Sequence, residues 1–474
     1  MAKYSLLLLA MLGLGACSMA PEYKVPQTPV AAEFRTQGAW STATPNDSIS
    51  RDGWWRIYQD PQLDALQQQL LLNNPTLSAA LAHYSQAQAL VTQVRSGLFP
   101  TIKGIGNGQR IRQSDTRPLR SSTTANVYDS ATLGLQVDYE VDLWGRVRDS
   151  VAAGTDEAQA SQADLASARL SLQAQLAESY IQLRGLDQQS QLLSATTEAF
   201  ARAVSLTEGL HGGGIVSGLD VARASTQLSS AKSQLKQNQV QRAVMEHAIA
   251  ALVGASASQF SLPVNTTAIA LPGVPVGVPS TLLQRRPDIA AAERRIAAAN
   301  KRIGVARSAW FPTISLSAQG GYQSDEFANL LSAPNLFWAV GPALVTTLFD
   351  AGARQAQVDS ARAATEEAGS KYRAVVLGAF EQVEDNLTII DGLGSALEDQ
   401  RAAAEAARYT ENLSLERYKQ GAIGYLDVVV AQTASLQAQR SVLDLQTRQL
   451  SANVGLIKAL GGGWSRAEEL SINR

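Results

Sequence analysis

The chain repeats itself, and the repetition limits its fold more than any other feature. Residues 75–102 align without gaps to residues 287–314 at a constant offset of 212. Ten of these 28 positions are identical, and the blocks end in Phe99-Pro100-Thr101-Ile102 and Phe311-Pro312-Thr313-Ile314. Further along the offset becomes 207: Gly145 matches Gly352, and Gly214, Leu219, Asp220 and Val221 match Gly421, Leu426, Asp427 and Val428. The five-residue change falls between matched blocks, where a variable loop is expected. One unit is built twice. The 474 residues therefore read as a single elongated domain, not the three globules that length alone suggests.

Both copies predict the same order: helix, two strands, very long helix, tight turn, long helix. Residues 146–208 contain no proline, and only Gly154 and Gly185 weaken a helix there. At ~1.5 Å per residue such a helix reaches about 90 Å. Residues 353–420 are its counterpart, also without proline. Apolar residues recur at three- and four-residue spacing, as in Leu165, Leu172, Leu176, Ile181 and Leu183, which points to a coiled-coil-like assembly. The first repeat is expected over 61–262, with strands near 100–110 and 131–142 and a helical hairpin over 146–254. The second is expected over 287–462, with strands near 312–322 and 337–348 and a hairpin over 352–460. Residues 263–286, rich in Gly and Pro, join the two, and 463–474 form a tail.

The strands carry the functional information. Leu133, Leu135, Val137, Tyr139 and Val141 alternate with Thr132, Gly134, Gln136, Asp138, Glu140 and Asp142. In the second copy Ile314, Leu316, Ala318 and Tyr322 alternate with Thr313, Ser315, Ser317 and Gln319. A period of two fits a half-buried soluble strand as well as a tilted transmembrane one of about ten residues. Aromatic residues at strand ends (Phe99, Phe311, Tyr322, Trp338) and the export signal described next favour the membrane. Four strands cannot close a barrel, and open edges are not tolerated in hydrocarbon. Copies must then share one wall. Two chains give eight strands and an interior filled by side chains. Three give twelve strands and leave an aqueous lumen for the polar face, and the long helices then number twelve as well.

The N-terminus has a positive residue, Lys3, an apolar stretch over 6–14 too short to span, and then Leu14-Gly15-Ala16-Cys17. Small residues before the chain's only cysteine resemble a bacterial lipobox. Residues 1–16 are then a signal peptide, and Cys17 carries diacylglycerol and an N-acyl chain. Residues 17–60, interrupted by Pro21, Pro26, Pro29 and Pro45, form an extended acylated segment. A formal charge of -2 supplies no field for nucleic acid. One cysteine and three scattered histidines suggest no metal centre. No cofactor other than the lipid is expected.

The sequence resembles the outer-membrane factor (TolC-like) family, in its lipoprotein branch serving multidrug efflux. The resemblance rests on Trp54-Trp55 with Asp60-Pro61-Gln62-Leu63, on Tyr139-Glu140-Val141-Asp142-Leu143-Trp144-Gly145-Arg146, on Leu282-Leu283-Gln284-Arg285-Arg286-Pro287-Asp288-Ile289, and on Lys458-Ala459-Leu460-Gly461-Gly462-Gly463-Trp464. It implies a mainly α fold with a transmembrane β part: a homotrimeric twelve-stranded barrel above a periplasmic helical tunnel. It also implies a lipid-anchored protein of a Gram-negative outer membrane, extending into the periplasm. The partners implied are outer-membrane lipid, a periplasmic adaptor and an inner-membrane pump of the RND type. In the family, contacts among acidic, tyrosine and arginine residues close the periplasmic aperture. Asp220, Asp427, Arg417 and Tyr418 match such positions, His211 stands where Tyr418 stands in the other repeat, and Gly214 and Gly421 make the hairpin turns. Ile423 and Val430 depart from the pattern, standing where some relatives carry a basic and an acidic residue.

Two other classes compete. An enzyme would need a nucleophile elbow, P-loop, dinucleotide fingerprint or zinc-binding HExxH, and none is complete. A pore-free coiled-coil lipoprotein accounts for the helices but has no use for alternating strands. Within transport, a type I protein secretion channel is the alternative to an efflux duct.

Overall fold

A computed structural model of the chain describes residues 18–25, 53–116, 118, 125–273 and 286–462. The signal peptide, Cys17, residues 26–52 of the N-terminal segment, residues 274–285 of the joint and the tail lie outside the described residues; Trp54–Tyr58, expected to be extended, instead form a 3-10 turn, because Trp54, Trp55 and Tyr58 are buried in the apolar core. The duplication is visible in the element bounds. The long helices α3 (Arg146–Gly212) and α6 (Ala353–Lys419) both have 67 residues, and α4 (Gly218–Leu252) and α7 (Tyr425–Ala459) both have 35, every bound displaced by 207. Strands β1 (Thr101–Arg112) and β3 (Thr313–Ser324) are displaced by 212 and have 12 residues each. Ahead of them stand α1 (Pro61–Asn73), α2 (Pro75–Arg95) and α5 (Pro287–Ser308). No described helix is long and apolar enough to cross a membrane.

The expectation of one undivided domain needs correction. The chain forms two compact units, and each draws on both repeats: one takes in His83–Gln162 and Ala291–Arg373, the other Ala163–Ala290 and Ala374–Arg474. Equivalent parts of the two copies pack together, so the division cuts through the long helices and not between the repeats.

The first unit holds all four strands in one antiparallel sheet of order β1-β2-β3-β4, with β2 at Val127–Val141 and β4 at Leu336–Val345. Directly opposed residues in such a sheet point to the same side. The pairs Ile102↔Val137, Val137↔Ala318 and Ala318↔Val340 lie on one face, with Leu133, Leu135, Leu316, Trp338 and Leu344. The pairs Lys103↔Gln136, Gln136↔Gln319 and Asn107↔Thr132 lie on the other. Among the described residues the apolar face is bare: Trp338 is 75% exposed, and Ile102, Leu135, Val340 and Leu344 are also exposed. At the centre Gly134 meets Gly321, and a Cβ on Gly134 would come within 2.7 Å of the Gly320 carbonyl oxygen, so a side chain there would force the strands apart.

Two strand ends differ from expectation. The second strand begins at Val127, not near 131, because it is flanked by β1 and β3 and its first residues still find partners on β1. The fourth ends at Val345, not 348, because only β3 is beside it and β3 starts opposite Val345.

The strand-to-helix corner is built by Gly145 at φ 76° and by Trp144, which stacks on Phe311 at 4.6 Å and donates Nε1–H to the Pro312 carbonyl at 2.8 Å. Residues 18–25 are tied to the same unit. Ser18 Oγ donates to both oxygens of the buried Asp149 carboxylate at 2.7 and 2.9 Å, and Asn300 Nδ2 donates to the Pro21 carbonyl at 2.8 Å.

The second unit has the apolar core, centred on Leu63, Leu66, Leu70, Leu176, Ile181, Val383, Leu387, Val454 and Ile457. Asp60 caps α1 by accepting from Gln62 N–H and Leu63 N–H, and its other oxygen accepts from the Tyr180 hydroxyl at 2.7 Å. A buried charge cluster sits beside this core. Asp187, fully buried, accepts from Arg184 and Arg242 at 2.6 Å each and from Asn265 N–H, while the two arginines donate to the Pro263 and Leu262 carbonyls. Burial of that carboxylate is tolerable because two cations and a backbone N–H meet it. The cluster also fixes the path of the chain leaving α4.

The face assignment is testable. Val137→Arg, on the apolar side at mid-strand, should destabilise the inserted protein by roughly 2–4 kcal/mol per chain and reduce its yield in outer-membrane fractions. Gln136→Arg, its sequence neighbour, should insert normally and change single-channel conductance. Equal damage from both substitutions would contradict the assignment.

Candidate functional site

The tips of the two helical hairpins carry Asp220, Asp427, Arg417, Tyr418 and His211, the residues singled out there from sequence. Both turns are the same motif. In the first, Ile215 N–H donates to the Leu210 carbonyl and Gly214 N–H to that of His211, each at 2.9 Å, with Gly214 at φ 73°. In the second, Ala422 N–H reaches the Arg417 carbonyl and Gly421 N–H that of Tyr418, also at 2.9 Å, with Gly421 at φ 74°. This double bond satisfies the last carbonyls of a helix and needs a left-handed residue, which glycine supplies without strain. The returning helices start alike, with Asp220 N–H donating to the Ser217 carbonyl and Asp427 N–H to that of Gly424.

The side chains then separate into inner and outer sets. Tyr418 is 6% exposed and meets Tyr425 edge-on, ring centroids 5.2 Å apart, in a small apolar cluster with Ala203, Ala224 and Val428. That cluster joins the two hairpins of one chain. Burial, then the nearby Asp220 carboxylate, pushes the Tyr418 hydroxyl up from its ordinary pKa. Burial raises Tyr425 to about 12, helped by Tyr418 and Asp220. Both phenols therefore stay neutral at physiological pH. The Tyr418 hydroxyl is sealed from solvent and finds no hydrogen-bond partner among the described residues. Asp220 is half-buried and pairs with Arg223 Nη1 at 3.4 Å. Asp427, Arg417 and His211 are exposed, and His211 Nδ1 lies 2.9 Å from the Val216 carbonyl oxygen.

Tyr418 lies in the cluster between the two hairpins, with Asp220 nearby, while Asp427, Arg417 and His211 are on the surface. The sequence reading does not single out Tyr425 and Val428. The available signal was spacing: 418, 425 and 428 straddle the turn at positions that face inward on both helices.

A four-stranded sheet with one bare apolar face, together with paired helical hairpins of 67 and 35 residues, defines a class: outer-membrane channels whose β wall is continued by a helical tube. The chain belongs to the outer membrane efflux protein family, which it matches over residues 66–255 and 278–462. It is 32% identical to the toluene efflux pump outer membrane protein TtgC of Pseudomonas putida over 95% of this chain and 93% of that protein. It is also 32% identical to the pyoverdine export outer membrane protein OpmQ of Pseudomonas aeruginosa, over 97% of this chain and 96% of the relative. Among solved structures, the outer-membrane channel OprN superposes with a TM-score of 0.86 at 29% identity, covering 94% of this chain and all of the other.

The tip chemistry separates two substitutions. Tyr418→Phe removes a hydroxyl that is buried without a partner, and thermal unfolding followed by circular dichroism should leave stability unchanged or raised. Tyr418→Ala empties the space between the hairpins and should cost about 3–5 kcal/mol.

Proposed function

We propose that this protein is the outer-membrane exit duct of a tripartite efflux pump, passively conducting toxic small molecules delivered from the inner membrane. Three copies close a twelve-stranded barrel in the outer membrane, and their twelve long helices continue it into the periplasm. One observation carries the reading. Among the described residues, the sheet presents an apolar face with nothing over it, a polar face behind it, and two strand edges, β1 and β4, without a pairing strand. A soluble single chain gains nothing from that arrangement. A barrel shared between copies uses every part of it, because apolar side chains meet lipid, polar ones line water, and the edges pair.

No step of covalent chemistry is required. Asp427, Arg417 and His211 at the tips ring the periplasmic entrance in this assembly and hold it closed until a periplasmic adaptor and an inner-membrane pump, of the RND type, draw the hairpins apart. Tyr418 and Tyr425 keep the two hairpins of each chain moving as one body. Cys17 carries the lipid anchor, and the contact of Ser18 with Asp149 supports a fixed attachment point for it on the β-bearing unit.

The direct test is to reconstitute the purified protein in planar bilayers, and to express it in a strain lacking the outer-membrane component of its efflux pump. Trimeric particles, discrete conductance and restored resistance to small toxic compounds are expected. Monomers without conductance would overturn the reading. Asp427→Ala should leave trimers intact while raising uptake of large antibiotics and closed-state conductance. Unchanged permeability removes Asp427 from the closure.

A further inference from the structure

Beside the Asp187 cluster, four stretches of chain surround a cavity of about 230 Å³. They are α3, α6, α7 and residues 268–271, so both repeats contribute to it. On one side α3 and α7 come close together at Gly185, where a Cβ would collide with the Thr447 side chain, and both residues line the space. Much of the remaining wall is apolar, from Ile181, Ile269, Leu397 and Leu450.

The charged groups on this wall have one sign. Arg184 and Arg401 line the cavity, and no carboxylate does. Arg184 is 2% exposed and pairs with Asp187 at 2.6 Å, yet its Nε is buried with no acceptor among the described residues. Arg401 is exposed and has neither an ion pair nor a hydrogen bond among the described residues, although Glu398 and Glu405 stand three and four places away on α6. The Arg184 charge is met by Asp187, and the Arg401 charge is left over.

An apolar chamber with a few convergent polar groups is the usual form of a small-ligand site. Size and charge then select the occupant. A cavity of ~150 Å³ with a wholly apolar lining admits benzene. The larger space here has room for a ring or short chain that also carries a polar head. A cationic head would be repelled by both guanidinium groups, whereas a carboxylate forms a charge-assisted hydrogen bond with one. We propose that this cavity binds a small amphipathic carboxylate, with its apolar part against Ile181, Leu397 and Leu450 and its carboxylate on Arg401. The site lies outside everything assigned to the duct, and its occupancy does not depend on conduction. A bound ligand touches both repeats and the segment after α4, so it stabilises the folded state by mass action.

Calorimetric titration of the full-length protein in a nonionic detergent tests this with benzoate, 3-phenylpropanoate and hexanoate. At least one should bind saturably in the sub-millimolar range and raise the unfolding temperature. The corresponding primary amide keeps the shape without the charge and should bind roughly tenfold more weakly. Arg401→Gln, at an exposed position, should weaken the carboxylate by a similar factor and leave the amide unchanged, while Arg401→Lys should restore part of the loss. Ala270→Trp, which fills the cavity from an exposed position, should abolish binding of acid and amide alike, with circular dichroism confirming that each variant is folded. No saturable binding of any of the three acids overturns the site. Binding that survives Ala270→Trp overturns its location. Equal affinity for acid and amide, or indifference to Arg401→Gln, overturns the assignment of a carboxylate.

Discussion

Hydrocarbon offers no hydrogen bonds, so every backbone N–H and C=O of a membrane-embedded strand must find a strand beside it. The rest of this molecule follows from that demand. The described residues of one chain contribute four strands and leave both outer ones half-paired. None of the other described residues of that unit covers the apolar face, and the polar face has no reason to exist unless it borders water. Subunit number, the lumen and the hollow helical tube are consequences of closing the sheet.

Duplication is the means by which a modest sequence meets this demand. The two copies share element lengths to the residue in their long helices and share register in their strands, so solving one junction solves the others. Their differences are equally informative. Where the first repeat has Trp144 stacked on Phe311, the second has Ala351, and its neighbours Leu348 and Phe349 stand out from the chain.

At the hairpin tips the physics changes from edge pairing to packing. A cluster of two tyrosines with aliphatic neighbours joins the hairpins there. Asp427, Arg417 and His211 remain outside it, exposed on the surface of the tips. The Asp187 cluster serves a different purpose, holding the segment after α4 against the core through two arginines and backbone carbonyls.

The sequence by itself determined the period-two strands, the proline-free helices, the two glycine turns and the repeat offsets, because each depends on local spacing or on self-comparison. Tertiary structure alone decided which strands neighbour each other, that the long helices run through both compact units, that Tyr418 turns inward to Tyr425, and that Asp187 lies between Arg184 and Arg242. Those outcomes depend on packing that local spacing does not report, as with Arg242 and Asp187, 55 positions apart, or Tyr418 in one cluster with Ala203 and Ala224 of the other hairpin. Helical periodicity tells which face a residue occupies but not what that face meets, and an arginine or tyrosine reads the same in a sequence whether it ends in water or in a core.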